Sequence, residues 1–286
     1  MAVCNVCFRH CRIEEGDTGF CGSRVCREGR ILDGNYGRLS ALALDPIEKK
    51  PLARFYPGSR ILSVGSFGCN LRCPFCQNYS ISWSEESFRG MKEAEVISPE
   101  DIAETAVYYK KQGNIGVAFT YNEPLTGYEF VRDTAKLVQE RGMKNVLVTN
   151  GTAELPVLEE ILPYIDAMNI DLKGFTDRYY NEVLGGSRQM VMAFIERAMQ
   201  ECHVELTCLI IPGENDSEEE MREMTAWIAG LTDGRGHTIG QKIPFHISRF
   251  FPRFHMTDRE ATDVKKIYAL AKTAKEKLEY VYTGNC

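Results

Sequence analysis

Six short apolar runs follow one another along the chain, and a helical segment separates each run from the next. The runs are ILSVGSF (61–67), IGVAFTY (115–121), KNVLVTN (144–150), DAMNIDL (166–172), VELTCLII (204–211) and IPFHIS (243–248). Strands that alternate with helices in this way pair in parallel through right-handed crossovers. A chain of 286 residues has room for one such domain and a small appendage. The rhythm predicts either an open doubly wound sheet or a full or partial barrel.

Three of the segments between or after the runs carry helix-start signals. In SPED (98–101), Ser98 is a predicted N-cap with Pro99 at the first helical position, and Gly113 is placed to end that helix. The run ENDSEEEMRE (214–223) predicts a helix start with a solvated face. TDRE (257–260) predicts a capping box before an amphipathic helix that continues to about residue 278.

Polar residues recur where the apolar runs end. In barrel enzymes and open α/β sheets the active site lies at the carboxyl ends of the strands. The recurring groups are the cysteines after the first run, Asn122 and Glu123 after the second, Asn150 and Gly151 at the third, Asp171 and Lys173 at the fourth, IPGENDS (211–217) after the fifth, and His246 and Arg249 at the sixth. The recurrence predicts an active site at this edge of the sheet.

The first of these groups is GCNLRCPFCQN, in which Cys69, Cys73 and Cys76 have the spacing C-x3-C-x2-C. A [4Fe–4S] cluster normally has a thiolate on each of its four irons, so three cysteines leave one iron open. That iron can take the amino and carboxylate groups of S-adenosylmethionine (SAM). An electron from the cluster then breaks a carbon–sulfur bond, and the resulting 5′-deoxyadenosyl radical abstracts hydrogen from a substrate. A zinc site, which would need a fourth ligand nearby, or three unrelated thiols are the alternatives.

The cysteine spacing, with Phe75 just before the last cysteine and the loop placed after the first strand, resembles the signature of the radical SAM superfamily. The resemblance covers nearly the whole chain and implies a partial (β/α)6 barrel of the TIM type. It also implies a [4Fe–4S] cluster on Cys69, Cys73 and Cys76, with SAM beside it.

Within that superfamily the core resembles pyruvate formate-lyase activating enzymes. The residues that the resemblance assigns to SAM binding are Phe75, Asn122, Glu123, Asn150, Asp171, Lys173 and His246. Lys173 suits the SAM carboxylate, and Asp171 suits its ribose hydroxyls or its ammonium group. Val148 stands where many activating enzymes have an aspartate, so the resemblance does not extend to a cation-assisted site for the SAM carboxylate.

Three further segments resemble the radical SAM component of the AmmeMemoRadiSam systems most closely: DPIEKKPL (45–52), TYNEP (120–124) and HISRFFP (246–252). The N-terminal cysteine block of that component also resembles residues 4–21. The absence of cysteine between Cys76 and Cys202 excludes the ferredoxin-like insertion of many glycyl radical activases. The resemblance does not identify a substrate.

The N-terminal cysteines form a second candidate metal site. Four thiolates can close a tetrahedral zinc site or hold an auxiliary iron–sulfur cluster, and a small lobe with few apolar side chains needs such a staple. We expect Cys4, Cys7, Cys11 and Cys21 to converge on one metal, with Cys26 outside it. Free thiols on an unstructured N-terminus are the alternative. The predicted domains are a cysteine-rich lobe and lead-in over 1–60 and the barrel over 61–286.

Charge and hydropathy limit the partners. The net charge of −6 and the isoelectric point near 5.6 argue against broad nucleic-acid binding. No apolar run could span a bilayer, and the N-terminus lacks a signal-type apolar region, so we expect a cytoplasmic protein.

Three function classes stay open: a glycyl radical enzyme activase, a radical SAM enzyme acting on another substrate such as a peptide or protein, and a non-enzymatic metal-binding protein. The two enzymatic classes imply a flavodoxin- or ferredoxin-like electron donor.

Overall fold

The computed structural model describes all 286 residues. Its strands are β1 (Ala2–Val3), β2 (Arg12–Ile13), β3 (Arg24–Arg27), β4 (Arg30–Asp33), β5 (Ala41–Pro46), β6 (Arg60–Gly65), β7 (Asn114–Thr120), β8 (Lys144–Thr149), β9 (Ala167–Asp171), β10 (His203–Ile210), β11 (Phe245–Arg249) and β12 (Val281–Gly284). Its α-helices are α1 (Tyr79–Ser82), α2 (Glu85–Glu93), α3 (Pro99–Tyr108), α4 (Tyr128–Glu140), α5 (Leu155–Ile161), α6 (Arg188–Ala198), α7 (Glu218–Ala229) and α8 (Val264–Ala274).

One eight-stranded sheet carries the fold, in the order β12-β11-β10-β9-β8-β7-β6-β5. The strands from β6 to β12 are parallel, and β5 pairs antiparallel with β6. The sheet is curled, as shown by Lys49 and Asn285, which follow the two edge strands and line the same cavity. The six predicted runs correspond to β6–β11, and the predicted partial barrel is confirmed.

The central strands are buried on both faces, as expected for parallel strands covered by helices. In β7, six of the seven residues are buried. On the outside, α4 packs an apolar face of Phe130, Val131, Ala135 and Val138 against the sheet. The near-continuous apolar runs in the sequence therefore reflect burial on two sides.

The helix-start signals gave mixed results. Ser98 forms the predicted capping box with Asp101, and Gly113 takes a left-handed φ of 85° after a 3-10 turn that follows α3. The prediction for TDRE was wrong, because α8 begins after Asp263, which caps it, and ends at Ala274. Arg259 binds the Pro212 carbonyl and Glu214 instead, so tertiary contacts hold this segment as a loop.

The N-terminal 60 residues, for which the sequence predicted a lobe but no strands, contain regular structure. They contain two small antiparallel sheets, β1-β2 and β3-β4, and the edge strand β5 of the main sheet. The strand β12 at the opposite edge also went unpredicted. Arg24 ties the lobe to the barrel through a bidentate ion pair with Glu129 of α4, at 2.6 and 2.7 Å.

The connection between β5 and β6 closes the N-terminal end of the barrel, and we call residues 47–55 the plug segment. The side-chain amide of Asn169 in β9 donates to the Pro51 carbonyl at 2.9 Å. The Glu205 carboxylate of β10 accepts from the backbone N–H groups of Ala53 and Arg54 at 2.9 and 2.7 Å. Ile47 and Leu52 of the plug segment are fully buried in a cluster with one residue from each of β6–β9, namely Ile61, Ala118, Val146 and Ala167. The barrel interior is therefore reached from the carboxyl ends of the strands.

No helix of this structure has the length and apolar character needed to cross a membrane.

Candidate active site

The three-cysteine loop begins directly after β6 and ends at α1. Gly68 has a φ of 92°, and a Cβ at this position would lie 2.1 Å from Ser23 Oγ and 2.7 Å from the Cys21 carbonyl oxygen. Only glycine allows both this backbone conformation and this close approach. The loop that carries Cys69 is therefore packed directly against the N-terminal lobe.

The end of β7 fixes the other side of the loop. The Asn122 side chain accepts from the Ser66 amide at 3.1 Å and donates to the Gly68 carbonyl at 3.0 Å. The Asn78 amide donates to the Tyr121 carbonyl at 2.7 Å. Tyr121 takes a left-handed φ of 77°, which is strained for a tyrosine and occurs here in the middle of these contacts. These bonds hold the cysteine loop at the carboxyl end of the sheet.

The three thiols lie close enough together to influence one another. Burial raises the pKa of Cys73 to about 12 and the pKa of Cys69 well above its ordinary value, and neighbouring thiols add to both effects. The Asn150 amide lies 3.8 Å from Cys69 Sγ. Thiols in such a setting become thiolates when a metal takes the place of the proton.

A cavity of about 450 Å³ opens beside this loop. It is lined by all three cysteines and by six of the seven residues assigned to SAM binding from the sequence, which are Phe75, Asn122, Glu123, Asn150, Asp171 and Lys173. These side chains come from the cysteine loop and from the ends of β7, β8 and β9. The volume is in the range of sites that bind one cofactor- or drug-sized molecule.

Glu123 joins the ends of two neighbouring strands. Its carboxylate accepts from Thr149 Oγ1 at 2.7 Å, from the backbone N–H of Asn150 at 2.7 Å and from the backbone N–H of Leu125 at 3.1 Å. Burial raises its pKa to about 7 although these hydrogen bonds favour the charged form. Both oxygens are engaged by the protein, so Glu123 shapes the cavity wall as well as facing the cavity.

Asp171 and Lys173 provide an ion pair in the cavity wall, with 2.6 Å between Lys173 Nζ and Asp171 Oδ2. Burial alone would lower the pKa of Lys173, but the charge of Asp171 outweighs it and raises that pKa. The lysine therefore keeps its charge. The pair offers a cation and an anion side by side, which suits a zwitterionic ligand.

His246 does not line this cavity. Its Nε2 lies 2.6 Å from Glu205 Oε2, and its ring stacks on Tyr282. Ser248, two residues further along β11, lines the cavity instead. Because side chains two apart on a strand face the same way, His246 lies one layer deeper in the barrel, near the plug segment.

The four predicted N-terminal cysteines, Cys4, Cys7, Cys11 and Cys21, line one cavity of about 10 Å³. Burial raises the pKa of Cys7 to about 11. Cys26 is fully buried outside this cavity, with its Sγ 3.7 Å from a Glu15 carboxylate oxygen.

No group of three or more His, Cys, Asp or Glu side chains has the geometry of a formed metal site. The structure therefore gathers the four N-terminal thiols around one small space without drawing them to ligand distances. For the three-cysteine loop, a cluster bound at its corners also separates its ligand sulfurs more widely than a single ion does.

The two cysteine sets are neighbours. Asn70, the residue after Cys69, lines the N-terminal cavity and accepts a hydrogen bond from the Asn150 amide at 2.9 Å. Cys7 forms a β-bridge with Ala153, just beyond the end of β8. Nothing in the sequence indicated that the lobe docks on the cysteine loop.

Several cavity residues were not anticipated from the sequence, namely Lys49, Tyr121, Thr207, Leu209, Ser248 and Asn285. Thr207 and Leu209 share one face of β10, so the period of two in a strand could have identified them. Asn285 follows the edge strand β12, which carried no sequence signal. Lys49 lies in DPIEKKPL, a segment that the resemblance included without giving it a role in the site.

Comparison with known families and proteins gives a consistent result. The family model of the radical SAM superfamily matches residues 63–225. An uncharacterized protein of Methanocaldococcus jannaschii is 38% identical over 99% of this chain and 80% of its own length. Pyruvate formate-lyase-activating enzymes are 28% identical: the Clostridium pasteurianum enzyme over 78% of this chain and 93% of its own, and the Escherichia coli K12 enzyme over 66% and 75%.

Solved structures share the fold at low sequence identity. Streptococcus suis SuiB bound to S-adenosylmethionine has a TM-score of 0.57 and 14% identity, over 76% of this chain and 48% of SuiB. A radical SAM methyltransferase from Sphaerobacter thermophilus has a TM-score of 0.57 and 15% identity, over 80% of this chain and 67% of that chain. The barrel described above is thus a known architecture.

Proposed function

Since this chain belongs to the radical SAM superfamily, we propose that Cys69, Cys73 and Cys76 hold a [4Fe–4S] cluster and that the cavity beside them binds SAM. The observation that supports this most directly is the 450 Å³ cavity, which the three cysteines share with the ends of three strands. Bound together, the two groups supply a 5′-deoxyadenosyl radical that abstracts hydrogen from a substrate.

The protein's own residues bind and orient these groups. The three thiols bind as thiolates, so loading the site releases protons. The Asn150 amide, 3.8 Å from Cys69 Sγ, donates toward the bound sulfur, and such hydrogen bonds tune the potential of a cluster. Lys173 takes the SAM carboxylate, and Asp171 takes its ammonium group or ribose hydroxyls.

We propose that the substrate is a peptide or protein. A cavity of about 450 Å³ is mostly filled by one cofactor-sized molecule, so the substrate projects only a small part of itself beside SAM. The activating enzymes named above make a glycyl radical enzyme the alternative target. A flavodoxin- or ferredoxin-like protein supplies the electron. The closer resemblance to the AmmeMemoRadiSam component stays a prediction.

We propose that Cys4, Cys7, Cys11 and Cys21 hold a second metal, with zinc preferred over an auxiliary cluster. The cavity that they line has about 10 Å³, which is the space of a single ion or water molecule. Four soft thiolates suit zinc, and the short spacing lets one loop supply three of them. The metal would stabilise a lobe that contains only short strands.

The test of the first proposal uses the alanine variant of Cys69, Cys73 and Cys76, with Cys202→Ala as the matched control. After anaerobic reconstitution and reduction, the control should contain the cluster and convert SAM to 5′-deoxyadenosine, while the triple variant should do neither. Formation of 5′-deoxyadenosine by the triple variant would overturn the assignment.

The triple variant also tests the second metal. About one equivalent of tightly bound zinc in it supports the zinc site, and residual iron with sulfide indicates an auxiliary cluster. Free alkylation of all four N-terminal thiols in the folded protein, with no metal bound, contradicts the site.

The target class is decided by a separate measurement. A glycine-centred radical on a co-incubated partner enzyme, detected by electron paramagnetic resonance (EPR), would identify the alternative activase function.

A further inference from the structure

Two arginines, Arg9 and Arg72, lie between the N-terminal cysteines and the three-cysteine loop. Both are stacked on the ring of Phe20, with the guanidinium carbons 3.4 and 3.7 Å from the ring centroid. Two groups this close to one centroid must occupy its opposite faces. Phe20 immediately precedes Cys21, so the stack is attached to the N-terminal site.

The hydrogen bonds of these arginines go to backbone carbonyls. Arg9 donates to the carbonyls of Asn70 and Gly185, each at 2.7 Å, and Arg72 donates to the Cys69 and Leu71 carbonyls at 2.9 Å. The two guanidiniums thus bind three consecutive backbone carbonyls of the three-cysteine loop, those of Cys69, Asn70 and Leu71. Neither forms a salt bridge with a carboxylate.

Two half-buried positive charges that lie near each other without a carboxylate are costly to the protein, because an arginine stays charged. Arg9 lines the N-terminal cavity together with Cys4, Cys7, Cys11 and Cys21, and both arginines hydrogen-bond to the three-cysteine loop. Burial lowers the pKa of both arginines, and the thiols that oppose this effect include Cys69 and Cys21 for each of them. Each arginine therefore faces thiols of both cysteine sets. Metal centres bound by three or four thiolates carry negative charge, and they would supply the anionic partner that the two arginines do not have among the carboxylates.

We propose that Arg9 and Arg72 are shared counter-charges that couple the two centres, so that the reduction potential of the SAM cluster depends on the arginines and on the N-terminal metal. This rests on the function proposed above. A nearby cation stabilises the more negative, reduced form of a cluster and raises its potential, whereas a nearby anionic metal–thiolate centre lowers it. The two arginines act through their charge on the reduction potential of the SAM cluster, and they make or break no bond.

The test is an EPR-monitored redox titration of the reconstituted protein with a low-potential titanium(III) chelate. We expect Arg9→Gln to disfavour reduction of the SAM cluster about tenfold, which is about 59 mV toward lower potential for a one-electron couple. Arg9→Lys, which keeps the charge, should stay near the wild-type value. Arg72→Gln should shift the potential in the same direction as Arg9→Gln, which covers the case in which Arg9→Gln fails to fold.

The coupling is tested by removing the N-terminal centre with the double change Cys4→Ala and Cys21→Ala. Its loss removes negative charge, so the potential of the SAM cluster should rise. An unchanged potential in this variant, or equal potentials in the wild type, Arg9→Gln and Arg72→Gln, would overturn the coupling. Failure of the proposed function looks different, since the wild type itself would then show no cluster signal and no SAM cleavage.

Discussion

Asp45 and Lys50 form an ion pair inside the barrel, and we expect the loss of one partner to cost much more than the loss of the other. The Asp45 carboxylate accepts from Lys50 Nζ at 2.9 Å, Ser63 Oγ at 2.9 Å, Tyr121 Oη at 2.6 Å and Lys49 Nζ at 3.1 Å. Lys50 has a side-chain exposure of 1%, and Asp45 is its only hydrogen-bond acceptor. The carboxylate thus has other hydrogen-bond donors, whereas the only other contact of the buried ammonium is the face of the Tyr121 ring, with 4.5 Å between Lys50 Nζ and the ring centroid.

This asymmetry sets the magnitudes. Asp45→Asn leaves a buried cation without a counter-ion, which costs about 3–5 kcal/mol. Lys50→Met leaves Asp45 with three donors, including the exposed Lys49, and removes one charged hydrogen bond, which costs about 1–3 kcal/mol. The double variant removes both the carboxylate charge and the buried cation, so its cost should stay close to that of Lys50→Met.

The measurement is a double-mutant cycle on the free energy of unfolding. Urea unfolding of the metal-free protein at neutral pH, followed by tryptophan fluorescence, gives the four values. A cost of Asp45→Asn no larger than that of Lys50→Met would refute the reasoning, as would a double variant whose cost equals the sum of the single changes.

Three further predictions concern stability and use the same unfolding measurement. Burial alone would raise the pKa of Glu205, but hydrogen bonds from His203, His246 and two backbone amides lower it from 4.5 to about 2. This shift stabilises the folded protein by roughly 3 kcal/mol. The stabilisation is complete above about pH 4.5 and is lost as the pH falls toward 2. The stability advantage over Glu205→Gln should shrink across that window, and an advantage that is constant with pH would contradict this. Gly116→Ala should cost about 3 kcal/mol or more, because its Cβ would lie 1.7 Å from the Lys144 carbonyl oxygen, while Gly230→Ala, with no contact under 3.5 Å, should change little. Ser98→Ala should cost about 1 kcal/mol through loss of the capping box, and no change at all would show that the cap is not needed.

The sequence was sufficient to predict the parallel strands and the polar residues at their ends, because both follow from local patterns. Strands buried on two faces leave apolar runs, and a loop that binds a metal centre needs cysteines at short spacing. Asn150 and Lys173 were placed at this edge because their position at or just after the end of an apolar run can be read from the sequence, and both line the cavity. The three-cysteine loop is the clearest example.

Depth within the barrel and contacts between distant segments could not be predicted. His246 and Ser248 face the same way, and only the register of β11 against β10 decides which of them reaches the cavity. The approach of Arg9 to the loop of Cys69 joins segments 61 residues apart through backbone carbonyls, which leave no mark in the sequence. The helix start predicted at TDRE was wrong for a similar reason, since Arg259 binds residues more than 40 positions away in the sequence.

The plug segment closes one end of the barrel, so the interior has a single entrance, at the carboxyl ends of the strands. Pro51, Ala53 and Arg54 are hydrogen-bonded to inward-facing side chains of β9 and β10, so nothing passes through the N-terminal end. A ligand that binds deep in the interior must therefore enter before a ligand that binds at the entrance, and it must leave after that ligand. We expect an obligatory sequence of turnover, in which SAM enters ahead of a bulky substrate, and methionine and 5′-deoxyadenosine leave only after that substrate has withdrawn from the entrance.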